Sequence, residues 1–348
     1  MAVTYKDVRE KLKDIDEFLL TEYKEKHPEK KRDWRTYEEQ YALRIKEAMK
    51  QLKPLIDEAV DTIQIHKGPG PHHELTLKQR VHLLLLQRLF QQSNRMMASM
   101  LAIFSVLSDV DVSYKTIERL YSDEEVLMAL HNLHVIILRK KGVTNPDVSG
   151  DGTGYSLTIS KHYASVAARE KDDAKETKVE PEKSESETVE KPKKSKKAFV
   201  FSFKWMDIKT KMYVSYGTSL KSERDAYDKA NKMLDTTEVK INSVRLDRYY
   251  SCSVYVDAFN RNIGVYVIPK KNATLRGEWH WKRTMINFVE NTPEYLEQYF
   301  QRENSEAGWS ADKKHFGWDI AQRRPDRIDT ADFCTEVWHN LFQLGTTN

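Results

Sequence analysis

Apolar side chains recur at three- and four-residue intervals through the first 65 positions, as at Val8, Leu12, Ile15 and Leu19, between dense and nearly balanced charges. That spacing predicts amphipathic helices with one buried face. Gly68-Pro69-Gly70-Pro71 interrupts it and sets a boundary, so 1–67 reads as a helical N-terminal region. From 75 the apolar content rises through VHLLLLQRLF and MMASMLAIFSVL, followed by the polar turn SDVDVS and then YKTIERLYSDEEVLMALHNLHVIIL. Helix, turn, short helix and helix over 68–146 is the outline of a helix-turn-helix domain, and equally of helical bundles that never touch DNA. In the first case Tyr114, Lys115, Thr116, Glu118 and Arg119 open the recognition helix, with Lys115 and Arg119 as its DNA contacts.

After 146 the period shortens towards two. Asp147–Ile159, AFVFSFKWM and KMYVSYGTSL read as three strands. SERDAYDKANKMLD reads as a serine-capped helix, KINSVRLD as a strand, SCSVYVDAFN as a helix and NIGVYVIPK as a strand, with mostly helix from Asn291 onward. The fold class is therefore α/β, a mixed sheet behind an all-helical N-terminal region, and the element order is that of a ribonuclease H-like domain over 147–345. Between the first two strands lies 169–197, with 19 charged residues in 29 and no aromatic. Such a segment buries too little apolar surface to offset its chain entropy and is expected to be disordered.

The composition narrows the function classes. The 348 residues are 39% hydrophobic and 32% charged, with no run long enough to cross a bilayer and no apolar leader. Two cysteines, Cys252 and Cys334, make neither a disulfide framework nor a four-thiolate zinc site, and His72, His73, His131 and His134 have no paired cysteines near them. These features fit a cytosolic chain. A net charge of +4 permits a polyanionic partner only if the positive charge gathers on one face.

Candidate chemistry sits in the carboxylates. Asp151 lies in SGDGTGYSL and Asp247 directly follows the strand INSVRL. A third acid is expected from a later helix. Carboxylates converging from two strands and a helix repel one another unless hard divalent cations neutralise them. Two Mg²⁺ ions (or Mn²⁺) held in this way support in-line attack on a phosphodiester. Each aspartate alone also suits an ordinary turn or helix cap. The spacing Tyr299, Arg302, Glu306, Lys313 is more specific, and residues three and four apart share one face of a helix.

With those residues in view, 147–345 resembles the DDE transposases of bacterial and archaeal insertion sequences, in the group carrying a Y-R-E-K signature. The resemblance rests on DGTG, the LDRYYS segment, the four-residue signature and EVWHNLFQLG as a terminal helix. It implies Asp151, Asp247 and Glu306 as catalytic and metal-binding acids, with Tyr299, Arg302 and Lys313 contacting phosphates at the element end. It also implies cut-and-paste cleavage and strand transfer on double-stranded DNA, by two protomers in a prokaryotic nucleoid. Glu303 is the nearest rival to Glu306 but breaks the signature spacing. The charged segment 169–197 departs from the pattern and, as a loop excursion, leaves the acids in place.

The stretch 269–290 corresponds to a DNA-contacting insertion in related transposases. Lys270, Lys271, Arg276, Lys282 and Arg283 are its phosphate candidates. Trp279 or Trp281 could stack on an unpaired base, or both could pack on the sheet. Arg323, Arg324 and Arg327 form a second basic cluster that reads as a solvated loop. Two other readings stay open on the same residues: a stand-alone nuclease on this fold, and a catalytically inactive DNA-binding protein.

Overall fold

A computed structural model describes residues 3–18, 24–26, 28, 33–64, 75–91, 93–108, 111–157 and 199–345. The Gly-Pro boundary at 68–71 and the charged segment 169–197 lie outside the described residues.

The N-terminal half is helical, as its spacing requires: α1 (Tyr5–Phe18), α2 (Trp34–Asp61), α3 (Leu77–Leu89), α4 (Asn94–Ser108), α5 (Tyr114–Leu120) and α6 (Glu124–Lys141). Local chemistry sets several starts. Asp33 accepts from the amides of Arg35 and Thr36, Asp123 from those of Glu125 and Val126, and Thr76 forms a reciprocal capping box with Gln79.

A mixed sheet follows: β1 (Asp147–Leu157), β2 (Phe199–Asp207), β3 (Tyr213–Ser219), β4 (Ser243–Leu246), β5 (Gly264–Tyr266) and the short β6 (Asp319–Ile320). Its helices are α7 (Glu223–Leu234), α8 (Ser253–Val256), α9 (Trp279–Glu290), α10 (Thr292–Phe300), α11 (Glu303–Phe316) and α12 (Pro325–Leu344). The strand order is β3-β2-β1-β4-β5, with β1, β2 and β3 antiparallel and β1, β4 and β5 parallel. This mixed sheet behind a helical N-terminal region is the expected α/β class and is consistent with a ribonuclease H-like fold. The order read from the sequence holds, while SCSVYVDAFN keeps only the four-residue α8 and β6 went unread. Two residues carry no period, so β6 leaves no local signal.

The two sheet faces are covered differently. On one, α7 packs through Tyr227 against Phe203 and Trp205. On the other lie α11 and α12, with Tyr216 of β3 stacked on Phe333 of α12. Helices α2, α3 and α6 pack on the far side of α12, so α12 is buried on nearly all sides. Trp338 donates to the Leu85 carbonyl at 2.8 Å and Arg88 to Thr335 Oγ1 at 2.8 Å across that junction. One continuous apolar core runs from the N-terminal helices to the sheet.

Candidate active site

The site follows from how β1 is paired. Along the edge opposite β2, β4 pairs with 147–150 and β6 with Ser156 and Leu157. Asp151 to Tyr155 have no strand partner on that edge, which opens a notch in the sheet. Gly150 stands opposite Leu246 in the parallel β1–β4 register, so Asp151 and Asp247 leave the paired region side by side. Adjacent strands lie about 4.8 Å apart, which brings the two carboxylates to one end of the sheet. Asp247 ends β4 and caps the following turn, accepting from the Tyr249 amide at 3.3 Å.

The third acid arrives on α11, over the face of β1 that carries Ser149, Asp151 and Thr153. Ser305 bonds Ser149 side chain to side chain, and Ser149 Oγ donates to the Arg302 carbonyl at 3.3 Å. Trp309 meets Tyr155 edge to face. Gly308 lets the helix approach this closely, because a Cβ there would stand 2.2 Å from Met206 Cε. The helix survives that glycine and carries Glu306 and Lys313 over the notch. Lys313 Nζ donates to Thr153 Oγ1 at 2.6 Å and lies 4.7 Å from the centroid of the exposed Trp318 ring. Burial lowers the Lys313 pKa.

Arg302 occupies the middle. Its guanidinium is 3.7 Å from Asp151 Oδ1 and donates to Glu306 Oε1 at 2.6 Å. The Arg302 and Asp151 side chains are 16% and 18% exposed, whereas Glu306 is 55% exposed, so the site is lidded by its most accessible acid. Burial pushes the Asp151 carboxyl up to about 6; Arg302 opposes that shift, and the negative charges of Glu306 and Asp247 add to it. Mutual influence of this kind places the three acids in one electrostatic neighbourhood. Burial also raises the Tyr299 phenol, with Arg302 opposing and Asp247 reinforcing.

The signature residues thus converge, but not as a single helical face. The helix ends at Phe300 and restarts at Glu303, with Arg302 at the junction. Three-residue hydrogen bonds, Arg302 N to Tyr299 O and Ser305 N to Arg302 O, both 3.0 Å, carry the chain across. Tyr299 is buried, and it influences the site through Arg302 instead of facing outward.

Among the described residues no three acid, histidine or cysteine side chains stand close enough to hold one ion as they are. Arg302 supplies the countercharge between two of the acids instead. The donor set nevertheless suits a hard cation: oxygen ligands only, and an Asp151 carboxyl whose ionisation is disfavoured without added positive charge.

Trp281 corrects one expectation. It is 2% exposed and its indole donates to the Thr274 carbonyl at 2.7 Å, so it packs in the core and offers no stacking face. Trp279 is 44% exposed, with Arg283 at 4.9 Å and Arg261 at 5.6 Å from its ring centroid. Lys271, Arg276, Lys282 and Arg283 are exposed, and Lys270 donates to the Tyr249 carbonyl at 2.8 Å. Lys115 and Arg119 are exposed on the seven-residue α5. The second basic cluster is partly tied down, as Arg324 pairs with Asp326 at 2.7 Å and Arg327 pairs with Glu118 and Ser122.

Three side chains beside the site were not singled out from the sequence. Glu223, opening α7, reaches the other face of β1, where a Cβ on Gly152 would stand 2.6 Å from its carboxylate. Tyr250 donates to Glu223 Oε1 at 2.6 Å. Tyr249, two residues after Asp247, is 50% exposed under Lys270. Only the LDRYYS segment hinted at these tyrosines; Glu223 reads as a plain acidic first turn.

The chain is 43% identical over 345 residues, covering 98% of its own length and 97% of the relative's, to a probable transposase for insertion sequence element ISA1214 of Archaeoglobus fulgidus. No family model matches the chain, and no solved structure matches it. Likeness of this extent makes the chain a member of the transposases of insertion sequence elements.

Proposed function

We propose that the protein cuts DNA at the ends of its element and joins the freed ends to target DNA, using Asp151, Asp247 and Glu306 to hold two divalent cations, Mg²⁺ or Mn²⁺. The observation that carries this reading is the convergence of these acids around the unpaired edge of β1, with Asp151 pushed up to about 6. Bound there, the cations would favour ionisation of an attacking oxygen and offset charge on a leaving oxygen.

The rest is done by this chain's side chains. Asp151 and Asp247 are fixed by adjacent strands, so their separation changes little on binding. Arg302 and Lys313 flank the acids with positive charge and would orient a scissile phosphate in line. In the first step a water oxygen bonds to phosphorus and the 3′ oxygen leaves with a proton. In the second, that 3′ hydroxyl oxygen bonds to a target phosphorus and gives up its proton, while the target strand's own 3′ oxygen leaves and takes up a proton as a hydroxyl. No covalent bond to protein is needed.

The basic surface around Trp279 and the exposed Lys115 and Arg119 of α5 extend the DNA path in this reading, with 66–146 recognising the terminal repeats. An element has two ends, so two protomers would act together. The test is a supercoiled plasmid carrying both element ends, incubated with Mg²⁺ or Mn²⁺. Nicking at the ends followed by joined products is expected; cleavage without joining would make the protein a nuclease. Unchanged cleavage by Asp151→Ala, Asp247→Ala or Glu306→Ala would refute the triad.

A further inference from the structure

Arg302 and a cation bridging Asp151 and Glu306 would use the same oxygens. The guanidinium donates to Glu306 Oε1 at 2.6 Å and stands 3.7 Å from Asp151 Oδ1, inside a site where its side chain is only 16% exposed. Both cannot hold these acids at once, because a guanidinium and a divalent cation repel at such range. The backbone of Arg302 is pinned: its amide bonds Tyr299 O, and its carbonyl accepts from Ser305 N and Ser149 Oγ. Exchange therefore falls to rotation of the side chain alone. A released guanidinium needs another anion, and a DNA phosphate is the partner its planar fork fits best.

We propose that Arg302 is an exchange switch: without DNA it holds Asp151 and Glu306, and when a DNA phosphate takes its guanidinium it releases both carboxylates to divalent cations. This rests on the reading of the three acids as a cation site and adds a coupling to it. The cations then load fully only on a DNA complex, which restrains cleavage chemistry away from the substrate. By linkage, DNA tightens cation binding by the factor with which the cation tightens DNA binding.

The experiment titrates Mn²⁺ into the full-length protein, following free ion by electron paramagnetic resonance, with and without a 40-base-pair duplex of the sequence flanking its own gene. The duplex should tighten Mn²⁺ binding to the parent by about tenfold or more. Arg302→Gln should bind Mn²⁺ about tenfold tighter without DNA and gain little from the duplex. Arg302→Lys keeps the charge but spans both acids poorly, so its DNA-free affinity should fall between the two; it carries the test if melting curves show Arg302→Gln misfolded. Unchanged or weaker DNA-free binding by these variants, with Asp151→Asn still abolishing it, would overturn the switch and leave the cation site standing. Binding indifferent to both Asp151→Asn and Glu306→Gln would overturn the cation site and the switch together.

Discussion

Helix α11 serves two acid clusters that are neutralised in opposite ways. At its first turn Glu306 faces Asp151 and Asp247 across the notch in the sheet, with Arg302 as shared counterion and an opening to solvent. Two turns later Asp312 is sealed beneath the same helix. His339 bonds it at 2.7 Å, and Lys204 stands 3.9 Å from it and 3.2 Å from Asp332. The Lys204 ammonium also lies 4.7 Å from the ring centroids of Tyr213 and Trp309. The clusters touch through the backbone, since Asp151 and Lys204 are cross-strand partners. Burial works against the Asp312 charge, but His339 and Lys204 outweigh it and hold the carboxyl below its usual range; Asp151 is pushed up instead. The buried Asp312 has Lys204 and His339 built in beside it; the acids at the notch are left with a charge deficit for something else to fill. An acid cluster that the fold has already neutralised reads as structure, and one left short of positive charge reads as a site.

Substitutions should separate the two. The largest effect is expected on activity: Asp151→Asn, Asp247→Asn and Glu306→Gln should each lower end cleavage by about 10²–10³-fold or more while leaving the circular dichroism spectrum intact. Cleavage within threefold of the parent would erase the distinction. Lys204→Met should act on folding instead, costing about 3–5 kcal/mol in denaturant melts because Asp332 and Asp312 lose their cation inside the core. A stable, inactive Lys204→Met would move that lysine into the chemistry.

A smaller effect distinguishes the clusters by pH. Asp151 titrates near 6 in the fold against about 3.8 unfolded, so the unfolded chain gives up its proton first. Keeping the charged form folded therefore costs stability that appears as pH rises from about 4 to 6. Asp151→Asn removes that cost. Without divalent ions the variant should match the parent near pH 4 and exceed it by roughly 2–3 kcal/mol at pH 8. A difference constant across that range would contradict the raised carboxyl. The smallest change is expected where the clusters share support: Ser305→Ala loses the bond to Ser149 and should cost about 1 kcal/mol, with cleavage little altered.

Much of this was legible in the chain, for reasons specific to each residue. Asp247 stands out because it directly follows strand-like sequence, and Asp151 because it lies in DGTG within the first strand, one residue beyond the stretch that β4 pairs. Glu306 was marked by spacing to Tyr299, Arg302 and Lys313, and these residues still converge across the break at Arg302, where two three-residue hydrogen bonds keep the connection short. The short β6, which closes the notch at Ser156, has no periodicity to read. Lys204 drew no reading from its strand AFVFSFKWM, since nothing local announces that Asp312 and Asp332 arrive over it from more than 100 positions away. Trp279 and Trp281 are two residues apart and could not be told apart until α9 buried one face.

The proposed chemistry stands on three carboxylates, far apart in the chain, jointly binding divalent cations. Anomalous diffraction from crystals of the protein–DNA complex soaked in Mn²⁺ measures this directly. Peaks bonded to Asp151, Asp247 and Glu306 oxygens at about 2.0–2.3 Å are predicted, with Arg302 turned onto a phosphate. Ions bound elsewhere, or Arg302 still clasping Asp151 and Glu306 in a cleavage-competent complex, would contradict it.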